Sequence, residues 1–539
     1  MLRKHARILA LLLVVFLVAS IGMTGCAKKE PLKLTLICDE SDTAKKYAAA
    51  LQEMWRTNLG IEVTVEPMPF KARLQKMQDK DFQILMGGWG PDYNDPMTFL
   101  DLFVTNGGNN HSYYSNATYD KLISDAKKEV DKAKRMGYLY EAEKLIMKEL
   151  PIIPLYFRMR DWTAADSVKN VVRRAIGGDP DLYWTENTGN ALKLNYGTEP
   201  PNLDPQKSTD TVSFQIINGT FEGLYRFNKD GSMMPGMAEK YEVSADGKVY
   251  TFTIREGAKW SNGDPVTADD FLYAVQRAVD PKTASEYAYI LYDIKGAQEI
   301  NEGKAEMSTL GVKADGNKLT VTLNGPVPYF LSLTAFGTLM PCNRKYFETV
   351  GEEYAADADK LIFNGPWKIT EWTHDSKLVL AKNDQYWNAA AIKLNTIEGY
   401  MIADTNTAAN MFYNKELDII GIPGAKRQEF LDKGYKIMNY SDGATFYVEI
   451  NMLDAVVGNQ KIREALSLSI DRAAYCKNVL MNDSLPALAF VPPILPGLNK
   501  AFRSEVGDLI QDYNVDEAKK LLAAGEKEVD KAEAAKATK

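Results

Sequence analysis

Residues 88–96 read Gly-Trp-Gly-Pro-Asp-Tyr-Asn-Asp-Pro, and this run decides how the rest of the chain is interpreted. It follows an apolar segment, residues 82–87, that we predict to be a strand, and it leads into residues 96–100, where a helix is expected to begin. Judged by local chemistry alone, Asp92 is an Asx-turn or helix N-cap residue. Asp95 is the better candidate for the cap because it lies closer to the predicted helix.

The first residues have the features of a targeting signal. Three basic residues precede an apolar run, residues 8–22, which is too short to be interpreted as a membrane span. Residues 23–26 read Met-Thr-Gly-Cys and resemble a bacterial lipobox, in which the signal is cleaved before the cysteine and the thiol carries diacylglycerol. We therefore expect a signal peptide over 1–25, lipidation of Cys26 and a tether over 26–30. An ordinary secretory signal with an incidental cysteine is the alternative.

Composition limits the class of protein. A hydrophobic content of 45% and a charged content of 25% are typical of a soluble globular chain, and the length predicts two or three lobes. A net charge of −8 argues against nucleic-acid binding, which requires a basic surface. Besides Cys26, the cysteines Cys38, Cys342 and Cys476 are widely spaced and odd in number, so we expect buried free thiols and no disulfide framework.

The part after the tether alternates between strand and helix patterns, which predicts an α/β lobe with parallel strands. The predicted strands and helices are a strand over 33–38, a helix over 41–59 ended by Gly60, a strand over 61–66 and helices over 70–78 and 119–148. Farther along, the alternating run 248–255 after the turn at 245–247 predicts a hairpin, residues 312–323 predict another alternating pair, and helices are predicted over 460–471 and 515–523. The last dozen residues predict a frayed helix or a disordered tail.

Several longer segments resemble the extracellular solute-binding proteins of family 5, which include the oligopeptide-binding lipoproteins of ABC importers. In the order of that family, the matching segments are residues 192–205, 221–224, 260–271, 364–367, 463–472, 491–493 and 516–522. The run 88–96 resembles a segment that comes late in those proteins, yet here it comes early. The chain therefore resembles a circular permutant, with residues 186–190 as the joint. An artefact of sequence assembly is the competing explanation.

The resemblance implies an α/β fold of the two-lobed, type II periplasmic-binding-protein kind, circularly permuted, with an extra α+β domain and a ligand cleft between two lobes. It implies a lobe III built from 31–151 and 444–525, a lobe I built from 152–225 and 346–443, a lobe II over 226–345 and a tail over 526–539. The chain would cross between lobes I and III near Pro154 and near Gly443.

The resemblance also implies a peptide site. In relatives the aspartate equivalent to Asp92 meets the N-terminal ammonium of the peptide, and a carboxylate buried between lobes needs such a cation. The peptide would add as an extended strand, although Pro91 has no N–H to offer it. The other implied binding residues are Trp89, Gly90 and Pro91 of lobe III, Thr209, Asp210 and Thr211 of lobe I, and the aromatic Tyr287, Tyr447 and Phe70, for which ordinary core packing is the alternative.

The chain departs from the family pattern at four cleft positions. Ala44 and Met86 stand where relatives place basic residues toward the C-terminal end of the peptide, so the peptide carboxylate would be caught elsewhere or left in water. Gly421 and Asp442 replace aromatic or polar residues. These two changes would enlarge one pocket or favour basic side chains.

We therefore expect a lipid-anchored, extracytoplasmic and monomeric protein that captures oligopeptides and delivers them to the permease subunits of an ABC importer, without a cofactor or metal. A non-peptide solute and a peptide-sensing role are alternatives inside the family. Paired carboxylates leave hydrolysis as a remote alternative, but the chain has no zinc-protease, nucleophile-elbow, Walker or dinucleotide motif. His111 and His374 are expected to be surface or turn residues rather than metal ligands.

Overall fold

The structure is a computed structural model, and it describes residues 30–537, with the side chain of Ala537 excluded. The predicted signal peptide over 1–25, the lipidation site Cys26 and all but the last residue of the tether lie outside the described residues. Within residues 30–537, no helix combines the length and the apolar character that a membrane crossing requires.

Most strands are short, but β4 and β16 are each thirteen residues long. They are β1 (Lys33–Asp39), β2 (Glu62–Met68), β3 (Ile84–Trp89), β4 (Ile152–Ala164), β5 (Ala191–Asn195), β6 (Tyr225–Phe227), β7 (Met233–Pro235), β8 (Ala238–Val243), β9 (Val249–Ile254), β10 (Val312–Asp315), β11 (Lys318–Thr322), β12 (Trp367–Thr373), β13 (Lys377–Lys382), β14 (Thr396–Tyr400), β15 (Ile419–Ile422), β16 (Met438–Ile450) and β17 (Leu485–Pro486).

The helices cover the faces and ends of the sheets. They are α1 (Asp42–Leu59), α2 (Phe70–Gln78), α3 (Met97–Leu100), α4 (Ala117–Lys128), α5 (Lys132–Glu149), α6 (Thr211–Thr220), α7 (Ala268–Val279), α8 (Ala297–Asn301), α9 (Phe330–Leu333), α10 (Arg344–Val350), α11 (Thr405–Tyr413), α12 (Arg427–Asp432), α13 (Gln460–Leu468), α14 (Arg472–Ala474), α15 (Phe502–Val506) and α16 (Val515–Ala537).

The first described part of the chain forms the predicted α/β arrangement. Strand β1 lies between β2 and β3 and is parallel to both. Helix α1 begins after Ser41, whose hydroxyl accepts the N–H of Ala44 at 3.2 Å, and it ends at Gly60, whose φ of 71° is in the left-handed region that favours glycine. Both ends of α1 therefore follow from local sequence, as predicted.

One large sheet joins the part that carries β1–β3 to the part that carries β15. Its strand order is β15-β4-β16-β3-β1-β2, with β17 also paired to β4. The long strands β4 and β16 run antiparallel through the whole junction, and their register shifts between Ser441 and Thr445. Gly443 lies in that irregular stretch with a φ of 71°, and a Cβ there would come within 2.9 Å of Pro91. These strands include both predicted crossing points, Pro154 and Gly443.

The two four-stranded sheets each lie within a single predicted lobe. Strands β12, β13, β14 and β5 form one sheet from residues of the predicted lobe I, and β10, β11, β9 and β8 form another from the predicted lobe II. The largest buried apolar cluster includes residues from all three predicted lobes, and a second one packs α1 and α13 against the β1–β3 side of the large sheet. The exact lobe boundaries stay predictions.

The structure differs from the sequence predictions at two helices. The predicted helix over 119–148 is two helices, because the chain leaves helical geometry after Lys128 and Asp131 caps α5 by accepting the N–H of Lys134 at 2.9 Å. Helix α16 continues to Ala537, although a frayed or disordered tail is expected from 526 onward. Val529 extends the apolar stripe that begins at Leu522 and packs on the same cluster, which gives the last turns a partner.

Candidate ligand-binding cavity

A cavity of about 610 Å³ lies where residues of the predicted lobes I, II and III meet. This volume is in the range that small-molecule and peptide-sized ligands occupy in proteins. All the binding residues predicted from the sequence lie in its lining, namely Phe70, Trp89, Gly90, Pro91, Asp92, Thr209, Asp210, Thr211, Tyr287 and Tyr447. The structure thus brings together segments that are far apart in the chain, whereas their roles toward a ligand stay predictions.

The turn that carries Asp92 is held by buried contacts on both sides. Asp95 accepts the first N–H of α3 at 3.0 Å, as the sequence predicts for a capping residue, and both of its oxygens also accept from the guanidinium of Arg135, at 2.8 and 2.9 Å. The ring of Tyr93 stacks on Tyr329 of the predicted lobe II, with centroids 4.4 Å apart. This arrangement fixes the direction in which the residues between Trp89 and Asp95 face the cavity.

Asp92 is a partly buried carboxylate that accepts hydrogen bonds but has no cation beside it among the described residues. Its Oδ1 accepts from the hydroxyl of Tyr287 at 3.0 Å, and its Oδ2 accepts from Thr98 at 3.3 Å. Burial raises the pKa of Asp92 well above its usual value and Asp101 raises it further, while the bonds from Tyr287 and Thr98 lower it. Among the described residues, no lysine, arginine or histidine forms an ion pair with Asp92. A positive group of a ligand would remove this electrostatic cost.

Three aromatic rings lie around Tyr287, whose hydroxyl donates to this carboxylate. The ring of Tyr287 lies 6.1 Å from that of Trp89, 5.9 Å from that of Phe214 and 4.9 Å from that of Phe336. The indole N–H of Trp89 is buried and has no hydrogen-bond partner within the described part of the chain. Faces of aromatic rings attract cations, so these rings add to the preference of Asp92 for a positive group.

The predicted lobe I contributes the beginning of helix α6. Asp210 is its N-cap: the carboxylate accepts the N–H of Ser213 at 2.8 Å and the hydroxyl of Ser213 at 2.6 Å. Burial raises the pKa of Asp210 to about 6, and the bonds from Ser213 oppose that rise. Asp210 therefore has a structural role as well as a position in the lining, and Thr209 and Thr211 flank it at the cavity wall.

The two remaining predicted aromatic residues differ in their surroundings. Tyr447 is on β16 opposite Gly87 of β3, is almost fully buried, and packs edge-on to Phe490 at 5.6 Å. Phe70 is the first residue of α2 and is partly exposed, and the guanidinium of Arg73 lies 4.9 Å from its ring centroid. Tyr447 therefore packs in the core and also lines the cavity.

Sequence reasoning missed most of the charged residues of the lining. These are Asp39, Glu40, Arg73, His111, Arg158, Arg160, Arg174, Asp179 and Glu449. For Arg158 and Arg160 a signal existed, because residues two apart on a strand share a face. Both lie near Asp442: an Nη of Arg158 is 2.5 Å from its Oδ2, and an Nη of Arg160 is 3.7 Å from the same atom.

These ion pairs correct the expectation for Asp442. Burial raises the pKa of this carboxyl, but Arg158 and Arg160 lower it more, and the net pKa is below the usual value. Its charge is already neutralised by the protein, so it gives no preference for basic ligand side chains. Gly421 is also not part of the lining; it is exposed on β15, the edge strand of the large sheet.

The two histidines of the described chain occupy different environments. His374 is half exposed and its Nδ1 lies 2.7 Å from Glu199, in agreement with a surface residue. His111 is in a turn, as expected, but it is not at the surface: its ring lines the cavity and its Nε2 lies 3.3 Å from Glu286. Burial lowers the pKa of His111, whereas Glu286 and Glu449 raise it to a net value above the usual one. Residues 30–537 contain no cluster of three or more His, Cys, Asp or Glu side chains placed to hold a metal ion.

Comparison with known proteins gives consistent matches. The sequence profile of the bacterial extracellular solute-binding proteins, family 5 (middle region), matches residues 17–111 and 232–536. The chain is 43% identical over 343 residues to the oligopeptide-binding protein OppA of Bacillus subtilis, and 40% identical over 339 residues to the dipeptide-binding protein DppE of the same species. These alignments cover 63% and 62% of this chain, and each covers 62% of the relative.

A solved structure agrees with these sequence matches. Listeria monocytogenes OppA bound to peptide superposes with a TM-score of 0.57 at 35% identity, over 63% of this chain and 68% of that one. The similarity confirms the predicted α/β, type II periplasmic-binding-protein-like fold. The chain spans less than two thirds of the length of the curated relatives it matches.

Proposed function

The chain belongs to family 5 of the bacterial extracellular solute-binding proteins, and from this premise we propose that it captures oligopeptides in the cavity around Asp92 for an ABC importer. The observation that carries the proposal is the partly buried carboxylate of Asp92 in the cavity wall, which has two neutral hydrogen-bond donors and no ion pair with a cation of the described residues. The N-terminal ammonium of a peptide supplies the missing charge. Family membership also confirms the expectation of a binding protein rather than an enzyme.

The names of the relatives and the size of the cavity both favour peptides. Relatives that match this chain are an oligopeptide-binding and a dipeptide-binding protein, and a similar solved structure holds a peptide. A cavity of about 610 Å³ accommodates a short peptide. The aromatic rings of Trp89, Tyr287 and Phe214 provide apolar contact and an environment that favours an ammonium group.

Calorimetry with matched peptides tests the proposal. Tri- and tetrapeptides with a free N-terminus are expected to bind, and N-acetylated versions of the same peptides are expected to bind at least about tenfold more weakly. The variant Asp92→Asn should lose most of this difference while still folding. Equal affinity for free and acetylated peptides would remove the role of Asp92, and native mass spectrometry of the purified protein would then show whether a non-peptide solute is carried instead.

Capture is proposed to proceed by closure of lobes I and III around the ligand. Strands β4 and β16 join the β1–β3 part of the sheet to the β15 part, and the irregular pairing at Ser441–Thr445 places a deformable stretch between them. A peptide that contacts both lobes stabilises the closed form by its higher affinity for that form. Recognition of the closed form by permease subunits completes the proposed transport role. A peptide sensor would share the same closure, and growth on peptides by a strain lacking the protein distinguishes import from sensing.

We also propose attachment to the cell surface through Cys26 and a permuted segment order. Replacement Cys26→Ser should release the protein from membranes and remove the mass of the lipid. The alignment to Bacillus subtilis OppA covers 63% of this chain and 62% of that protein. The remaining part of each chain therefore does not align in the same sequence order. A permutation with its joint at 186–190 accounts for that pattern. A digest peptide that spans residues 184–193, recovered from protein purified from its native cells, would exclude an assembly artefact.

A further inference from the structure

The cavity residue Tyr287 belongs to a short segment of the predicted lobe II that packs directly on the predicted lobe III. The segment is the 3-10 helix Glu286–Leu291, and the hydroxyl of Tyr287 donates to Asp92 of the predicted lobe III at 3.0 Å. Gly108 lies so close to this segment that a Cβ atom there would come within 2.1 Å of the carbonyl oxygen of Glu286. Because only a glycine allows this approach, the two lobes meet at backbone distance beside the cavity.

Side chains of the predicted lobe III also contact the carboxylate of Glu286. Its Oε1 accepts from the side-chain amide of Gln78, at the end of α2, and its Oε2 lies 3.3 Å from Nε2 of His111. The side chains of His111 and Glu286 are only 13% and 22% exposed, so water and salt screen this pair weakly. Three residues farther along the segment, the amide of Asn109 donates to the hydroxyl of Tyr289 at 3.3 Å. The contact between the lobes is therefore polar, and it contains a group that can change its charge.

His111 is the group of this contact whose charge changes near neutral pH. The charged groups that act on its ring come from three elements, namely Glu286 of the predicted lobe II, Glu449 of β16 and Arg73 of α2. Burial and Arg73 lower the pKa of His111, the two glutamates raise it, and the net pKa is above the usual value. Separation of the lobes takes Glu286 away and exposes the ring to water, where an imidazole titrates at about pH 6.5. The lobe contact and the proton on His111 therefore favour each other below that pH, and this mutual stabilisation is lost as the pH rises through the raised pKa of His111.

We propose that His111 and Glu286 are positioning residues of the peptide site: when His111 is protonated, its ion pair with Glu286 holds lobe II on lobe III and keeps Tyr287 in the site, so the closed, peptide-bound form gains stability. The proposal rests on the peptide-binding function and the lobe closure given above. An imidazolium–carboxylate pair is stronger than the hydrogen bond of a neutral imidazole to the same carboxylate, because the attraction between full charges adds to it. The effect reaches the ligand through Tyr287, which donates to Asp92.

Calorimetry with an alanine tripeptide at pH 6 and pH 8 tests this assignment. His111→Gln keeps a hydrogen-bond donor but cannot be charged, and it should weaken binding by about fivefold at pH 6 and by less than about twofold at pH 8. Glu286→Gln should show the same pattern, and the double variant should be no weaker than either single variant. The matched control is His374→Asn, which removes a surface histidine that also lies beside a glutamate and should leave affinity unchanged at both pH values. Each comparison is made with the wild-type protein at the same pH, so protonation of Asp92 affects both proteins alike.

The proton on His111 can also be followed directly in the wild-type protein. NMR of protein with ¹³C-labelled histidine gives the ring signals of His111 and His374, and loss of one signal in His111→Gln assigns them. The ring of His111 should titrate at a pH about 0.5 higher when the alanine tripeptide is bound, since a ligand that favours the protonated form must raise its proton affinity. The signal of His374, which lies outside the cavity lining, is the internal reference.

These measurements separate the possible failures. If the wild-type protein binds no tripeptide or tetrapeptide at either pH, the peptide-binding function itself fails. If peptide binds but His111→Gln loses the same factor at pH 6 and pH 8, or if His374→Asn shows the same pH-dependent loss, the role of His111 and Glu286 alone is overturned. Should the variants fold poorly, the wild-type titration decides, because a midpoint of His111 that does not move on peptide binding overturns the proposal.

Discussion

The hydroxyl of Tyr287 donates to Oδ1 of Asp92 at 3.0 Å, and this bond joins the predicted lobe II to the turn of the predicted lobe III. The donor is neutral, so it orients the carboxylate and stabilises its charge only in part. Burial still raises the pKa of Asp92 well above its usual value. The site is thus prepared for a positive ligand at some electrostatic cost to the ligand-free protein.

Replacement Tyr287→Phe should make peptide binding more sensitive to acid. The bond from Tyr287 lowers the pKa of Asp92, so its loss raises that pKa further and reduces the ionised fraction. We expect affinity for a free-amine tripeptide to fall by about tenfold at pH 6 and by less at pH 8. Dissociation constants measured at both pH values check this prediction. An equal loss of affinity at pH 6 and at pH 8 would contradict it.

Replacement Asp92→Asn should stabilise the ligand-free protein while it weakens peptide binding. The folded pKa of Asp92 is above its unfolded value, so the wild-type protein loses stability as the pH rises from about 4 through the raised pKa. At pH 8 the variant should therefore be more stable by about 1–3 kcal/mol. The gain should vanish at about pH 2, where Asp92 of the wild-type protein is protonated in both the folded and the unfolded state. Thermal unfolding across this range measures the difference.

Replacement Asp442→Asn is the matched control, and its effect should have the opposite sign. Here Arg158 and Arg160 hold the pKa below its usual value, so the carboxylate contributes stability above the unfolded pKa that is lost as the pH falls through the folded one. The variant should be destabilised at pH 8 by about 1–3 kcal/mol because two arginines lose their partner. If Asp92→Asn and Asp442→Asn change the stability at pH 8 in the same direction, the difference proposed between the two carboxylates is refuted.

Arg135 should be required for the geometry of the turn that carries Asp92. Its guanidinium forms two bonds to the buried Asp95, at 2.8 and 2.9 Å. Arg135→Met leaves that carboxylate buried without a cation and should reduce the free energy of unfolding by about 3 kcal/mol. Arg135→Lys keeps the charge but not the two-bond geometry, and an intermediate loss is expected. Urea titrations give the ranking, and unchanged midpoints in both variants would contradict it.

Closure should be visible as a change of shape in solution. Small-angle scattering is expected to show a smaller radius of gyration when a mixture of short peptides is added. Asp92→Asn at the same peptide concentration should show a smaller change because less ligand binds. An unchanged radius in the wild-type protein, at peptide concentrations that saturate calorimetric binding, would argue against lobe closure.

Much of the fold could be predicted from local sequence signals such as helix caps and side-chain alternation. The binding residues could be predicted because their sequence motifs resemble those of the family. Helix α1 illustrates the local kind, with Ser41 before its first turn and Gly60 after its last. Glu449 illustrates the opposite. Glu449 lies among apolar residues of β16. The alternation of side chains along a strand shows which residues share a face of the sheet, but it does not show which face borders a cavity. The charged lining was missed for the same reason.

The sequence by itself determined the order of strands and helices, the family and the position of Asp92 in a recognisable run. The tertiary structure alone decided which acids carry an uncompensated charge. Asp442 and Glu449 are both acidic residues of one strand, yet Arg158 neutralises the first from a position 284 residues away in the chain, whereas no residue among 30–537 forms an ion pair with the second. Desolvation and Coulomb interactions depend on distances in space, and those distances exist only once the chain has folded.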